Sequence, residues 1–327
     1  MNMLEPAQFI TEELRGTLRS NVAMCQHTSW RAGGHAERVY QPTDLADLIV
    51  FLRTVPADEP LVAVGLGSNL LVRDGGLRGT VLLLHAALTE MRIEADGSIY
   101  VQAGISGAKL ARFAAKHNLR GAEFFAGIPG TLGGMLAMNA GCYGSETWNA
   151  VASAQTIMRS GKLLEREPDD YEIGYRHVVL RKKDTYLGHD NARIPNSLPF
   201  HQEEFFVGAR LRFPAGDGEV ARREIKALLS KRIASQPLNM PNAGSVFRNP
   251  PNDYAARLIE QCGLKGLQIG GARVSEQHAN FIVNVGGATA ADIENLINEV
   301  RASVQHKTGI CLHQEVRIIG EYANTHE

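Results

Sequence analysis

The apolar positions of this chain recur with two different periods, which predict a mixture of helices and strands. Helical spacing predicts helices at residues 7–15, 44–54, 106–117, 219–234, 254–262 and 289–306. Short apolar runs predict strands at residues 37–41, 61–64, 80–84, 151–158, 204–212, 272–275, 280–285 and 311–320. Asp96-Gly97 predicts the turn of a hairpin within residues 92–103. The pattern therefore predicts an α+β protein.

A change in this pattern divides the chain near residue 214. Residues 214–218, Pro-Ala-Gly-Asp-Gly, are the best linker candidate, because proline and glycine interrupt helices and strands. The roughly 110 residues beyond the linker have the size of a domain. We therefore expect a separate C-terminal α+β domain.

Charge and cysteine content exclude some classes of protein. The 327 residues contain 34 Lys and Arg against 35 Asp and Glu, a net charge of −1, so we expect no binding to nucleic acid or membranes. The first 16 residues lack the pattern of a signal peptide, and no run of about 18 apolar residues occurs, so we expect a cytoplasmic protein. Four widely separated cysteines predict reduced thiols and no metal site.

A glycine-rich turn follows the predicted strand at residues 61–64. Closely spaced glycines let backbone N–H groups approach a phosphate, and this turn reads Val64-Gly65-Leu66-Gly67-Ser68-Asn69. Leu70 takes the place of the third glycine of a dinucleotide-binding fingerprint and begins another predicted strand, so a Rossmann fold does not fit. These residues fit two interpretations, a plain turn and a phosphate-binding loop.

A second glycine-rich segment is a stronger indication of a ligand site. Residues 127–134 hold five glycines and prolines, which predicts a loop and excludes an ordinary helix. The apolar residues that follow indicate burial, and a buried glycine-rich backbone must satisfy its own amide groups, which a phosphate does well. Asn139 and Gly141 end the segment. Tight packing between two domains is the alternative.

Polar residues in three further places are candidates for chemistry. Arg176, taken alone, is most simply a solvated charge. The loop at residues 242–250 brings a hydroxyl, a guanidinium and two carboxamides together, which suits either a polar site or a hydrogen-bonded turn. Glu315 lies in the predicted last strand, either on a solvated face or as a buried functional carboxylate. The motifs of zinc proteases, P-loop proteins and lipases do not occur in the chain.

Seven motifs occur in an order that is typical of one family. They span residues 27–34, 65–71, 121–144, 174–176, 242–250, 270–284 and 315–320. Through them the chain resembles the UDP-N-acetylenolpyruvoylglucosamine reductases, often called the MurB family. The interval from residue 214 to 241 is short and contains no tyrosine, so the chain is similar to the second type of the family, which lacks a loop that folds over the substrate.

The resemblance implies an α+β fold with an FAD-binding region of the vanillyl-alcohol-oxidase type, made of two subdomains, and a C-terminal substrate-binding domain. The expected domains are residues 1–87, 88–213 and 214–327. By motif position, the FAD contacts would be Val64, Gly65, Gly67, Ser68, Asn69, Leu70, Gly127, Ile128, Pro129, Gly130, Thr131, Gly133, Gly134, Asn139 and Gly141. NADPH would reduce the FAD, and we expect a monomer.

The resemblance also implies a reaction, the reduction of UDP-N-acetylglucosamine enolpyruvate to UDP-N-acetylmuramate during peptidoglycan synthesis. Arg176 would stabilise negative charge that develops on the substrate carboxylate. Ser245 would donate the proton, and Glu315 would polarise or orient the intermediate. Further substrate contacts would be Tyr175, Asn249, His278 and Arg317.

Two features depart from the family pattern. Val178 stands where the family usually has serine, and residues 181–202 look like an insertion, either a surface loop near the rim of the site or a source of contacts. Two other functions stay open, a flavin oxidoreductase for another small molecule and a non-catalytic flavin or sugar-nucleotide binder. Neither would need Ser245 and Glu315 in these sequence contexts.

Overall fold

The structure is a computed structural model that describes residues 13–181 and 203–323. Within these ranges no helix is long and apolar enough to cross a membrane. Most of the predicted helix at residues 7–15 and nearly all of the expected insertion at residues 181–202 lie outside the described residues.

The first part of the chain forms a four-stranded sheet with one helix. Its elements are β1 (Thr17–Ala23), β2 (His35–Gln41), α1 (Leu45–Thr54), β3 (Leu61–Val64), β4 (Leu70–Val72) and β5 (Leu77–Leu83). The sheet has the strand order β1-β2-β5-β3, and β5 is parallel to both of its neighbours. Leu48 and Leu52 of α1 pack in one core with Leu61 and Leu82 of the sheet. This packing fixes the end of β3, from which the first glycine-rich loop begins.

The second part builds an antiparallel sheet covered by helices. Its elements are β6 (Met91–Ile93), β7 (Ile99–Gln102), α2 (Gly107–Lys116), α3 (Leu132–Met138), β8 (Gly141–Cys142), β9 (Ser145–Glu146), β10 (Val151–Met158), β11 (Leu163–Arg166), β12 (Tyr171–Gly174), β13 (His177–Leu180), β14 (Glu204–Leu211) and α4 (Gly218–Ser235). The sheet has the strand order β11-β10-β14-β7-β6, and β12 and β13 form a separate hairpin. Leu110 of α2 and Leu136 of α3 pack with Leu211 of β14 in the second core.

Helix α3 corrects the prediction of a loop over residues 127–134. The loop ends at Thr131, and the helix includes Gly133 and Gly134. Each glycine costs about 1 kcal/mol of helix stability relative to alanine. Leu132, Met135 and Leu136 are buried in the second core, and this tertiary packing offsets the low propensity of the glycines.

Helix α4 packs against the second core, although the division expected at residue 214 assigns it to the C-terminal domain. Its buried residues Ala221 and Ile225 belong to the second core. The Asp217 carboxylate accepts hydrogen bonds from the amides of residues 219 and 220, so the segment that resembles a linker ends in the N-cap and the first residue of this helix. The packing therefore changes after α4 and not at residue 214.

The third part is a small sheet packed on a long helix. Its elements are α5 (Ala255–Gln261), β15 (Gln268–Ile269), β16 (Ala272–Val274), β17 (Ile282–Asn284), α6 (Ala290–Thr308) and β18 (Arg317–Ile319). Strands β15, β16 and β17 are antiparallel, and Ile293 and Leu296 of α6 pack in this core. Trp30 of the first part lies in the same core and donates from Nε1 to the Ile282 carbonyl at 2.7 Å.

The last strand pairs with a strand from the first part of the chain. Strand β18 pairs in parallel with β4 and not with the sheet of the third part. It spans only Arg317–Ile319, so the prediction of a strand over residues 311–320 that includes Glu315 is wrong. The Glu315 amide instead donates to the Val246 carbonyl at 2.8 Å, which fixes the backbone of Glu315 beside the loop at residues 242–250.

Candidate active site

A cavity of about 450 Å³ lies among the three parts of the chain. Its wall includes the two glycine-rich loops, α3, the turn between β12 and β13, the end of α4, residues 243–245 and the segment that leads into β18. Elements from all three parts therefore meet at one place, which is typical of a ligand site.

The two glycine-rich loops contact each other at the cavity. Ser68 Oγ donates to the Pro129 carbonyl at 3.1 Å. A Cβ atom at Gly65 would lie 2.4 Å from Thr131 Oγ1, and a Cβ atom at Gly130 would lie 2.7 Å from Ser68 Oγ. The loops therefore approach closely through these two side-chain oxygens, and the φ of 115° at Gly130 favours glycine there in any case.

Backbone groups in both loop regions are available to a ligand. The N–H groups of residues 66–69 donate to no acceptor within the described part of the chain. A Cβ atom at Gly134 would meet no protein atom within 4 Å, so this residue leaves open space at the cavity wall. Unpaired amide groups beside open space suit an anionic group such as a phosphate.

Nearly all the residues predicted to bind a cofactor line this cavity. They are Val64, Gly65, Gly67, Ser68, Asn69, Leu70, Gly127, Ile128, Pro129, Gly130, Thr131, Gly133, Gly134 and Gly141. Asn139 lies behind the wall instead, where its Nδ2 donates to the Gly174 carbonyl at 3.2 Å and its Oδ1 accepts from the Trp148 amide at 3.1 Å. Asn139 thus holds the β12–β13 hairpin against the end of α3.

Arg176 lies in the two-residue turn between β12 and β13. Its φ of 54° is unusual for a residue other than glycine and costs about 1 kcal/mol. Such a conformation persists only where the surroundings hold it. Arg176 lines the cavity, whereas the neighbouring Tyr175 is 48% exposed and does not. Val178 pairs with Ile173 and packs against the second core.

Arg176 and Glu315 form an ion pair at the cavity wall. Arg176 Nε lies 2.5 Å from Glu315 Oε1, and both side chains are largely buried. Burial raises the pKa of the Glu315 carboxyl, although the charges of Arg176 and Arg248 oppose this rise. The terminal guanidinium nitrogens of Arg176 make only long contacts, of 3.5 and 3.4 Å, with the carbonyls of Asn139 and Gly141. These nitrogens can therefore turn to an anionic ligand.

Ser245 lines the cavity from the third part of the chain. Its hydroxyl makes no hydrogen bond with any residue that the structure describes. The backbone around it is fixed, because the Gly244 amide donates to Asn242 Oδ1 at 3.0 Å and the Val246 amide donates to the Asn280 carbonyl at 2.9 Å. A fixed serine with a free hydroxyl can donate a proton to a bound molecule.

Of the other residues predicted to contact a substrate, only Arg317 lines the cavity. Burial lowers its pKa. Asn249 Oδ1 accepts from the Ala255 amide at 3.1 Å and so caps α5. The His278 ring packs against Phe281 with a centroid distance of 4.7 Å, and burial lowers the pKa of His278.

Arg232, which no sequence motif singled out, lines the cavity from the end of α4. Burial lowers its pKa, and its Nε donates to Gln236 Oε1 at 3.0 Å. It pairs with no carboxylate among residues 13–181 and 203–323. In the sequence Arg232 is one of several cations on a basic helix, and only the packing of α4 shows which one is buried at the site.

Comparison with known proteins agrees with this architecture. A model of the C-terminal domain of UDP-N-acetylenolpyruvoylglucosamine reductase matches residues 236–319, and a model of an FAD-binding domain matches residues 36–166. The UDP-N-acetylenolpyruvoylglucosamine reductase of Thiobacillus denitrificans is 53% identical over 334 residues, which cover 98% of this chain and 98% of the relative. The chain belongs to the UDP-N-acetylenolpyruvoylglucosamine reductase family.

Further similarities to members of the family agree with this assignment. The Nitrosospira multiformis UDP-N-acetylenolpyruvoylglucosamine reductase is 57% identical over 312 residues, 94% of this chain and 90% of the relative. The crystal structure of the Thermus caldophilus enzyme superimposes with a TM-score of 0.74 at 28% identity, covering 93% of this chain and 99% of that one. The predicted family and the predicted α+β fold, an FAD-binding region followed by a C-terminal domain, are confirmed.

The protein is therefore an FAD-binding oxidoreductase, and the cavity fits this cofactor. The matched FAD-binding region, residues 36–166, contains both glycine-rich loops. The unpaired amides of residues 66–69 and the open space at Gly134 suit a group that carries a pyrophosphate.

Proposed function

We propose that the protein reduces UDP-N-acetylglucosamine enolpyruvate to UDP-N-acetylmuramate, with NADPH as the source of electrons, during cytoplasmic synthesis of peptidoglycan precursors. Membership of the reductase family supports the substrate. The observation that carries the proposal is that Arg176, Ser245 and Glu315, from separate parts of the sequence, line the same cavity as the two glycine-rich loops.

Arg176 has the properties of a group that stabilises negative charge. FAD held by the glycine-rich loops would supply hydride chemistry at the substrate double bond, and the adjacent substrate carboxylate would then gain negative charge. The Arg176 guanidinium is largely buried, and its pairing through Nε leaves the terminal nitrogens for that carboxylate. Fixed donors in a place with little water stabilise developing charge strongly.

Ser245 is the proton donor in this proposal. Its hydroxyl has no partner among the described residues, and its backbone is fixed by hydrogen bonds on both sides. A carbanion-like centre is basic enough to take a proton from a hydroxyl that is correctly placed. Glu315 orients Arg176 and polarises the intermediate, and Arg232 supplies a buried cation for an anionic part of the substrate.

The test compares the two half-reactions in Ser245→Ala. The variant is expected to be reduced by NADPH at nearly the wild-type rate, whereas its reoxidation by UDP-N-acetylglucosamine enolpyruvate slows by about 100-fold to 10,000-fold. Stopped-flow absorbance of the flavin measures both rates. Ser160→Ala, an exposed serine in the turn between β10 and β11, is the matched control.

Two results would contradict the proposal at different levels. Equal slowing of both half-reactions in Ser245→Ala would exclude Ser245 as the proton donor. A flavin-containing wild-type protein that oxidises NADPH no faster when the enolpyruvate is added would exclude the substrate, and another flavin oxidoreductase would then be the better assignment.

A further inference from the structure

Arg248 joins the loop at residues 242–250 to the turn that carries Arg176. It does not line the cavity, and its Nη2 donates to the Arg176 carbonyl at 3.1 Å. Its own amide donates to the His313 carbonyl at 2.8 Å. The segment that bears Glu315 therefore anchors Arg248 on one side, and Arg248 holds the Arg176 turn on the other.

The bond from Arg248 acts on the strained part of the turn. Arg176 has a φ of 54°, so its backbone needs external contacts to stay in this conformation. The orientation of its carbonyl is coupled to its ψ, and that carbonyl is the atom that Arg248 holds. The side chain of the same residue is held through Nε by Glu315. Both contacts come from the third part of the chain.

Stability alone does not account for an arginine at position 248. Its Nε is buried and has no hydrogen-bond partner among the described residues, which is unfavourable for folding. The Arg248 charge also opposes the rise of the Glu315 pKa, and it contributes to the lowered pKa of the Arg317 guanidinium. A residue that only filled space here would not carry these costs.

We propose that Arg248 is a positioning residue for the reaction, which fixes the turn of Arg176 and so holds the Arg176 guanidinium against Glu315. Its catalytic consequence rests on the proposed function. Arg248 does not line the cavity, and its positioning effect passes through Arg176.

The kinetic test uses the FAD-bound enzyme with Arg248→Met, which keeps most of the side-chain length and removes every donor. Its kcat with the enolpyruvate is expected to fall by about 10-fold to 100-fold, with no matching rise in KM. Flavin reduction by NADPH stays unchanged. Arg248→Lys, which keeps the charge and one donor group, recovers part of the loss. Arg257→Met, in an exposed ion pair on α5, is the control and keeps the wild-type rate.

A double variant separates positioning from a general structural effect. Because Arg248 acts through Arg176, Arg176→Lys combined with Arg248→Met is expected to be no slower than Arg176→Lys alone. Fully additive losses would overturn the proposal. A wild-type rate in Arg248→Met would overturn it as well. If Arg248→Met does not fold, Arg248→Lys is used in its place, alone and combined with Arg176→Lys.

A second readout does not depend on turnover. Nε–H of Arg176 donates to Glu315, so its proton is expected to exchange slowly with water. The exchange is followed at the ¹⁵Nε resonance of Arg176, which is assigned through its loss in Arg176→Lys. Arg248→Met is expected to accelerate this exchange. Unchanged exchange would overturn the proposal. Accelerated exchange in a protein whose wild type does not reduce the enolpyruvate would refute the proposed function and leave the positioning role in place.

Discussion

Gly134 is the position where stability and cofactor binding are expected to respond in opposite directions. The residue lies within α3, and an added Cβ would meet no protein atom within 4 Å. Alanine is favoured over glycine in a helix by about 1 kcal/mol, so Gly134→Ala should stabilise the FAD-free protein by up to that amount. The same methyl group enters the space assigned to FAD. An extra methyl in a packed contact costs about 1 to 3 kcal/mol, so FAD affinity should fall by about 5-fold to 150-fold.

The neighbouring glycine provides the contrast. A Cβ at Gly133 would lie only 3.1 Å from Cβ of Ala103, which is closer than ordinary packing. Gly133→Ala is therefore expected to gain less stability than Gly134→Ala, or to lose stability, although both substitutions change the helix propensity equally.

Two measurements on wild type, Gly133→Ala and Gly134→Ala test these predictions. Urea unfolding of the FAD-free forms gives the free energy of unfolding, and quenching of flavin fluorescence during titration gives the FAD affinity. Wild-type FAD affinity in Gly134→Ala would refute the placement of the cofactor against α3. Lower stability of FAD-free Gly134→Ala would refute the open space at this residue.

Other residues give independent predictions. Burial raises the pKa of the Cys142 thiol to about 11, so roughly one molecule in a thousand is thiolate at pH 8, and iodoacetamide should modify Cys142 far more slowly than exposed Cys311, as mass spectrometry can measure. Asp47→Asn should lower the free energy of unfolding by about 1 to 3 kcal/mol at pH 7, because this carboxylate accepts three hydrogen bonds. Burial opposes ionisation of Asp47, but its donors outweigh burial and lower its pKa. The stabilisation by Asp47 is therefore complete above about pH 4 and is lost as the pH falls further. Urea unfolding should show this as a decreasing difference in the free energy of unfolding between wild type and Asp47→Asn. Asp74→Ala should cost about 1 kcal/mol in the same assay, because its carboxylate accepts from the first two amides of α6.

Each of these predictions can fail in a distinct way. Similar alkylation rates at Cys142 and Cys311 would contradict the raised pKa of the Cys142 thiol. A difference between wild type and Asp47→Asn that stayed constant from pH 7 to pH 3 would contradict a lowered pKa. Unchanged stability of Asp74→Ala would show that the capping box of Thr289 is sufficient to begin α6.

The periodic elements were predictable because local pattern and tertiary packing agree in them. Helices α1 and α6 occur within a residue or two of their predicted bounds, and Asp44 and Thr289 cap them as side chains of these types do. The hairpin of β6 and β7 turns at the predicted Asp96-Gly97. In α3 pattern and packing disagree, since its glycines predict a loop and its buried apolar residues make a helix.

In the candidate site, too, the local residue types were predictable and the contacts between remote segments were not. The glycine-rich loops and the family motifs identified most of the residues that line the cavity, because close approach to a ligand requires these residue types wherever the loops lie. The sequence could not show that Asn139 and Asn249 hold backbone segments, that Arg232 is the buried cation of its helix, or that Arg248 holds Arg176. Each of these facts depends on a neighbour that is remote in the chain.

Local order along the chain therefore determined most of the longer elements, the family and the loops of the cofactor region. The tertiary structure alone decided that β18 pairs with β4, that α4 belongs to the second core and that Arg176 meets Glu315. The physical reason is that propensity and glycine chemistry act over a few residues, whereas a strand pairing or a buried ion pair depends on which remote segments the packing of the cores brings together.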